Sequence, residues 1–523
     1  MLEQSPSPNG SPMLIVRRSL LLVLCLAAAF LLAPAARADI AKVTFVLMND
    51  IYLMDDQMMP DGKRRGGFAR LAAVVKAERA RASAEGRRLI LAHGGDTLSP
   101  SLMSGIDQGA HIMTLTNLIR PDIFAPGNHE FDFGKAVFLR RMAEANFPLY
   151  AANLRGPDGA VLPGFRDRSI VDVGGVRVGL TGGAYDGTPR ASSPEDLKFA
   201  PTVASMKEQA AALRREGADF VAVVMHADRS QAIELAESRA ADIVLTGHNH
   251  DLFVSFDGRT AMAESSYDAH YVVLIDVTVE TKMQEGRRVT AWWPQFRIVD
   301  TATVAPDPEV VAVVAGFQGK LDRELDVPIG TTAVELDSRN ATVRTGEAAI
   351  GSLIADAMRA KTKAAIAIMN GGGIRAGKVY APGTAITRRD ILTELPFNNR
   401  VVVIDVPGSA LLAGLENGVG RLPEAAGRFP QVSGMTVEYD PRRPAGSRIL
   451  SVRIGGAPLE PGRTYRLATN DFLARGSDGY TGFGSIQPEI HPEDAPLLAT
   501  EVMAYVRELG TVRTGVEGRI VAK

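Results

Sequence analysis

The sequence predicts an α/β protein of two layered domains joined by a helical linker. Three observations carry that prediction. Short apolar runs of strand length alternate with longer stretches of helical spacing between residues 43 and 300, the pattern of helices packed on sheets. A proline-bearing segment then breaks the alternation, which resumes beyond it. At 523 residues the chain also exceeds what one hydrophobic core organises. The division that follows is a leader over 1–38, a first domain over 39–300, a linker over 301–328 and a second domain over 329–523.

The elements read in order. In the first domain the apolar runs at 43–48, 88–92, 123–125, 177–180, 220–225 and 243–245 predict strands. Between them the spacing of apolar residues predicts helices over 68–84, 136–145, 203–216 and 231–240. A strand over 271–280 and another ending near Ile298 close the domain. In the linker Pro306, Pro308 and Pro328 surround a helical stretch over 309–325. The second domain opens on a helix over 348–361, followed by strands over 365–369 and 400–406 and a long helix over 495–509.

The leader reads differently from the rest. Arg17 and Arg18 precede an apolar run over 20–32, and Ala36-Arg37-Ala38 places small residues where a signal peptidase inspects the chain, which predicts cleavage after Ala38. The run holds about 13 apolar residues, against the roughly 20 a spanning helix needs. The expected destination is the periplasm or the exterior, with no membrane attachment after cleavage. The arginine pair is a weak match to a twin-arginine signal, so general secretion is the preferred route and the sequence does not decide it. The only cysteine, Cys25, leaves with the leader, so any metal must be held by His, Asp, Asn, Glu or Tyr. With 46% hydrophobic and 23% charged residues and a formal charge of −2, the composition is that of a soluble globular protein, lacking the basic excess a nucleic-acid polymer needs. The sequence does not give an oligomeric state.

Potential metal ligands follow the first domain's strands. Asp50 follows the first strand, Asp96 the second, Asn128 and His129 the third, His226 the run ending at Met225, and His248 and His250 the run ending at Leu245. Ligands of open α/β sheets gather at the carboxyl ends of strands. Singly, each residue has an ordinary alternative as a turn, cap or core residue. Together, and with five of the eight histidines in these loops once His93 is counted, they point to one site.

The motifs Asn49-Asp50, Gly94-Gly95-Asp96, Gly127-Asn128-His129-Glu130-Phe131-Asp132, the isolated His226 and Gly247-His248-Asn249-His250 resemble those of the calcineurin-like metallophosphoesterases. The branch is that of secreted bacterial 5'-nucleotidases, UDP-sugar hydrolases and 2',3'-cyclic phosphodiesterases. The resemblance implies a dinuclear centre of two divalent ions, with manganese, zinc and iron all suited to such ligands. Asp96 would bridge them, Asn128, His226 and His248 would complete one site, and Asp50 and His250 would belong to the other. It also implies that His129, with Asp132 hydrogen-bonded to its ring, stands beside the metals and protonates the leaving group. One departure is plain: the family's Asp-x-His is here Asp50-Ile51-Tyr52. Three readings stay open: Tyr52 ligates as a phenolate, which favours a hard trivalent ion such as iron; water or a neighbour such as Asp55 or Asp56 takes the place; or the first metal is weak or absent. His93 and His270 are further candidates for repairing the site, with structural roles as the competing reading.

The second domain carries a separate set of signals. Asn370-Gly371-Gly372-Gly373-Ile374-Arg375 follows a strand, and a guanidinium there suits phosphate oxygens. The stretches 395–399 and 470–480 place Phe397 and Phe472 in polar, turn-rich surroundings, where two rings can stack on a base. With Arg344-Thr345-Gly346-Glu347, these stretches resemble the nucleotide-binding domain of the same 5'-nucleotidase branch. By that resemblance Phe397 and Phe472 sandwich the base, Asp478 binds the ribose hydroxyls, Arg344, Asn370 and Arg375 contact phosphate or sugar oxygens, and Asn399 joins the substrate-binding set.

The function expected is hydrolysis of nucleoside 5'-monophosphates, with 2',3'-cyclic nucleotides and UDP-sugars as further candidate substrates. The alternatives are a thiosulfohydrolase of sulfur oxidation and a non-catalytic nucleotide-binding relative. If metals and base pocket lie in different domains, turnover requires the domains to move about the linker.

Overall fold

The computed structural model describes residues 1, 38–397 and 399–523. The expected leader over 1–38 lies, but for its two end residues, outside the described residues, among which no helix is long and apolar enough to cross a membrane.

Two sheets stack face to face in the first domain. The strand Asp39–Met48 is flanked by Arg88–His93 in parallel and by Tyr271–Gln284 antiparallel. Ile123–Phe124, Leu149–Tyr150 and Phe165–Arg166 extend the parallel side, and Arg287–Asp300 closes the other edge, giving seven strands among the described residues. The second sheet has six, of which Val176–Gly183, Phe220–His226, Ile243–Gly247 and Ala261–Ser265 are mutually parallel.

Side-chain alternation assigns each strand face to a layer. Val43, Phe45 and Leu47 share a core with Val178, Leu180, Ala222 and Val224 of the opposite sheet. Val46 and Met48 point the other way, toward Phe68, Leu71 and Val75 of the helix Gly67–Ala84. On the far side Val221, Val223 and Met225 pack under the helices Thr202–Arg215 and Arg229–Glu237. Every residue of Phe220–His226 is buried, which explains its unbroken apolar run.

The stretch read as a linker contains the helix Pro308–Leu325. Asp307 caps it by accepting the Glu309 and Val310 N–H groups, and Pro308 begins it where a missing N–H costs nothing. Val310, Val314, Leu321 and Leu325 bury themselves in the cluster that holds Phe68 and Leu71, so this helix is seated on the first domain.

The second domain is built on a four-stranded sheet in the order Val401–Pro407, Thr464–Asn470, Ile366–Asn370, Pro430–Ser433. The helices Ala349–Thr362 and Leu498–Leu509 cover one face and Gly408–Val419 the other. The last long helix starts at Leu498, three residues later than its apolar spacing predicts. Pro496 is the reason: it biases Ala495 to the extended conformation observed there, and the chain before it forms the short turn Pro492–Asp494. The central strand Thr464–Asn470 has no counterpart in the sequence reading, because Arg466 and Thr469 interrupt its apolar run.

Candidate active site at the domain boundary

The residues after five parallel strands converge. Asp50, Asp96, Asn128 and His129 stand beyond strands of the seven-stranded sheet, while His226, His248 and His250 stand at and beyond strands of the six-stranded one. Asp50, Asp96, His248 and His250 all have positive φ, at 53°, 57°, 108° and 61°. Side chains other than glycine seldom adopt that region, and such strain collects at functional sites. Gly127 makes the approach possible: a Cβ there would lie 2.1 Å from Asp96 Oδ1 and 2.8 Å from His226 Cε1.

Two groups of donor atoms result. In the first, His226 Nε2 lies 3.1 Å from Asp96 Oδ2 and 3.1 Å from His248 Nδ1. His226 Nδ1 donates to the Gly94 carbonyl at 2.7 Å, which fixes the ring and leaves Nε2 as the inward nitrogen. Asn128 Oδ1 is buried with no hydrogen-bond partner among the described residues, an orphan acceptor suited to a cation. In the second group, His250 Nε2 is 3.4 Å from Asp50 Oδ1. The Tyr52 hydroxyl enters that group, 2.9 Å from His250 Nε2, 3.2 Å from Asp50 Oδ1 and 3.4 Å from Asp96 Oδ2. Asp96 Oδ2 thus faces both groups, while Asp96 Oδ1 accepts the His129 N–H at 2.8 Å. A set of carboxylate, imidazole, amide and hydroxyl donors with one orphaned acceptor fits divalent cations.

The other candidates for completing the second group lie elsewhere. Asp56 is paired with Arg64 at 2.6 Å and Arg70 at 2.9 Å, and Asp55 is exposed. His93 accepts the Gly95 N–H through Nδ1 and packs on Phe124, so it supports the loop from beneath. His270 faces Gln57 and Tyr267.

The electrostatics follow from burial and close opposite charge. Burial pushes Asp96 up, but His226 and His129 hold it well below the usual carboxylate range. Burial pushes His226 and His129 down, yet Asp96 for the first and Asp132 for the second raise each to about 10. Tyr52 is driven well above its ordinary value by burial and by the Asp50 and Asp96 charges, so without a cation it is a neutral hydroxyl. His129 Nδ1 lies 2.6 Å from Asp132 Oδ2, and Ser192 donates to Asp132 Oδ1 at 2.7 Å.

Arg344, Asn370, Arg375, Phe397, Asn399, Phe472 and Asp478 all line one cavity of about 330 Å³ in the second domain, within the range of small-molecule sites. Asn370 Nδ2 donates to Asp478 Oδ2 at 2.8 Å, and Asn470 holds Asn370 from behind at 2.9 Å. The Arg375 guanidinium stands 5.3 Å from the centre of the Phe397 ring, which is 52% exposed although large and apolar. Arg344 Nε is buried without a partner among the described residues. A Cβ on Gly372 would lie 2.9 Å from Gly427 Cα, so only glycine lets these two loops meet at the cavity rim.

Four residues of the first site carry no assignment from sequence. Glu130 accepts the N–H groups of Gly127, Asp96 and Thr97 at 2.6, 2.9 and 2.7 Å and so ties two ligand loops together; burial and Asp96 push it to about 7. Its signal was its place inside the Gly127 to Asp132 motif. Asp228 lies 3.3 Å from His248 Nε2 and Tyr185 packs on the same ring at 4.3 Å; Asp228, two residues past His226, was legible as a helix cap only. Asp494, from the second domain, accepts from Asn128 Nδ2 at 3.0 Å, and no nearby motif announces it.

Comparisons with known proteins match two families to separate stretches of the chain. Residues 43–252 match the family described as calcineurin-like phosphoesterase, and residues 328–485 match the 5'-nucleotidase C-terminal domain. Snake venom 5'-nucleotidase of Crotalus adamanteus is 27% identical, over 96% of this chain and 92% of that protein. The crystal structure of a 5'-nucleotidase precursor from Thermus thermophilus is 27% identical, covers 92% of this chain and 99% of its own, and superposes with a TM-score of 0.53. The NAD nucleotidase of Haemophilus influenzae, at 19% identity, shares the fold with a TM-score of 0.76 over 93% of this chain and 100% of its own.

Proposed function

We propose that this chain, a calcineurin-like phosphoesterase with a 5'-nucleotidase C-terminal domain that hydrolyses phosphate esters of nucleotides, converts nucleoside 5'-monophosphate to nucleoside and phosphate, in the periplasm or outside the cell. 2',3'-Cyclic nucleotides and UDP-sugars are the further substrates to test. The single observation that carries the reading is the convergence of all seven candidate substrate residues on one cavity in the domain opposite the metal donors.

In this reading Asp96, Asn128, His226 and His248 hold one divalent cation and Asp50 and His250 a second, with the Tyr52 hydroxyl at the position of the missing histidine. Bound there, such cations acidify water and neutralise phosphate oxygens. His129 holds a proton on Nε2 for the leaving oxygen while Asp132 fixes its ring. Phe397 and Phe472 sandwich the base, Asp478 accepts from the ribose hydroxyls, and Arg344, Asn370, Arg375 and Asn399 bind sugar or phosphate oxygens. A protein-linked thiosulfonate would leave the two aromatic rings without a base to hold.

The cavity and the metal donors have no lining residue in common. The cleft that opens on Tyr52 and His250 is lined from the second domain by Arg400, Asp471, Arg475, Pro492 and Leu497 instead. Delivery of a phosphate from the base pocket to the metals therefore requires the domains to reorient about the short crossing after the helix Pro308–Leu325. The test is phosphate release from AMP, UDP-glucose, 2',3'-cyclic AMP and a thiosulfonate conjugate, with elemental analysis of the same preparation. Preference for the thiosulfonate, or nucleotide hydrolysis unchanged by His129→Ala, would overturn the assignment.

A further inference from the structure

We propose that Asp494 is an intramolecular stand-in for substrate phosphate: a carboxylate lent by the second domain to the first domain's metal site, where it occupies a position a phosphate oxygen must take. The inference rests on the proposed metal site.

Asp494 is 7% exposed, and its carboxylate Oδ1 faces Asn128, His129 and His248 of the other domain. Its Oδ1 accepts from Asn128 Nδ2 at 3.0 Å and stands 3.6 Å from His248 Nδ1 and 3.9 Å from His129 Nε2. His248 Nδ1 is the nitrogen that also faces His226, so a cation held by His226 and His248 would have this carboxylate as its neighbour. Asp96, His129 and Asp494 offer ligand atoms within 4.8 Å of one another, all three residues buried. A buried carboxylate is costly unless cationic or hydrogen-bonding groups receive it, and here those groups are the ones the reaction uses.

The carboxylate is also held in place from its own side. The turn Pro492–Asp494 is closed by the Asp494 N–H to the His491 carbonyl at 3.0 Å. Arg400 Nη1 donates to the Ala495 carbonyl at 2.7 Å, and the Val401 N–H to the Pro496 carbonyl at 2.9 Å, which anchors the segment to the edge of the second domain's sheet. Asp494 therefore enters the site from a braced turn. Carboxylate and phosphate present anionic oxygens to the same donors, so the two compete for one place. Phosphate binding must expel Asp494, and its departure frees the second domain to bring the nucleotide cavity round.

The experiment measures manganese binding by calorimetry and inorganic phosphate binding to the manganese-loaded full chain, for the parent, Asp494→Asn, Asp494→Ala and His226→Ala. If Asp494 fills the site about nine-tenths of the time, removing its charge tightens phosphate binding about tenfold. Manganese binding should weaken severalfold in both Asp494 variants. Asparagine keeps the shape and the interface, so a purely structural carboxylate predicts phosphate affinity within twofold of the parent, and that result overturns the proposal. In the parent, phosphate should also accelerate amide exchange in 491–497 of the manganese-loaded protein; unchanged exchange overturns it without any variant. Manganese binding that is lost in His226→Ala upholds the metal site even if Asp494 proves idle, whereas binding indifferent to His226 overturns the site itself.

Discussion

His129 Nδ1 and Asp132 Oδ2 lie 2.6 Å apart across one short helical turn, and that contact sets which nitrogen of His129 faces the site. His129→Ala should lower kcat by about 10²- to 10⁴-fold, the usual worth of a positioned proton donor, with a small change in KM. Asp132→Asn should cost less, because the amide still holds the ring but no longer sustains its charge. Steady-state kinetics on AMP decides it; a loss confined to KM would remove His129 from the chemistry.

Tyr52 puts a hydroxyl where three acceptor or donor atoms already meet. Tyr52→His should raise affinity for a second manganese ion and keep hydrolysis at the parental rate or above, since imidazole is a better ligand than a neutral phenol. Metal stoichiometry by elemental analysis after dialysis checks it, with the parent retaining fewer ions than the variant.

Phe472 shares the cavity wall with Phe397. Phe472→Ala should raise KM for AMP about tenfold, in line with the roughly 1–3 kcal/mol of one base stacked on one aromatic ring. The same change should leave hydrolysis of a base-free ester such as p-nitrophenyl phosphate nearly unaffected, and an equal loss on both substrates would place Phe472 in the fold and not in base recognition.

Metal binding should release protons. In the cation-free site Asp96 raises His226 to about 10, against the opposing effect of burial, so its ring is protonated at neutral pH and must lose that proton to ligate. Affinity for manganese should therefore weaken as pH falls below that value, and calorimetry in buffers of different ionisation enthalpy should report a net release at about pH 7. A binding constant that stays flat between roughly pH 6 and roughly pH 9 would contradict it.

Asp276 gives a pH dependence of stability away from the site. It accepts from Thr44 and Arg81 at 2.6 Å each and from Arg297 at 2.9 Å, and these bonds outweigh burial to hold its carboxyl below the ordinary range. A depressed folded value means stabilisation that is present above the unfolded value, near 3.9, and is lost as pH falls through the folded one. Asp276→Asn should cost about 1 kcal/mol at pH 7, since it removes the charge that Arg81 and Arg297 share while Glu78 keeps both guanidinium groups paired. Thermal melts at pH 7 and pH 3 should show the gap between parent and variant narrowing in acid.

The candidate metal donors were legible because each stands within a few residues of an unbroken apolar strand, and a parallel sheet carries such positions to one end. Asp50, Asp96, Asn128, His226 and His248 all obey that rule. The seven cavity residues were legible as turn-rich aromatic and arginine-bearing stretches, though only the fold could show that Arg344 and Asp478 line one cavity. Tyr52 could be seen as a substitution, but not as a hydroxyl aimed between Asp50, Asp96 and His250. Asp494 had no signal at all: it contacts Asn128 across 366 residues of chain, and a pair of acids between two prolines reads as a turn. Helix start points were lost for a local reason, as Pro496 shows.

The helix Pro308–Leu325 rides on the first domain, and the second begins at the strand Pro328–Thr332, so only residues 326–327 lie between them. A crossing that short behaves as a swivel pin and not as a tether. It leaves the second domain's cavity few places to be, and under the proposed function a nucleotide caught there is presented to the hydrolytic centre at an effective concentration fixed by geometry, independent of how dilute the surroundings are. Under the proposed function, an enzyme that meets its substrate at low abundance gains from that arrangement, because capture and delivery become steps of one molecule.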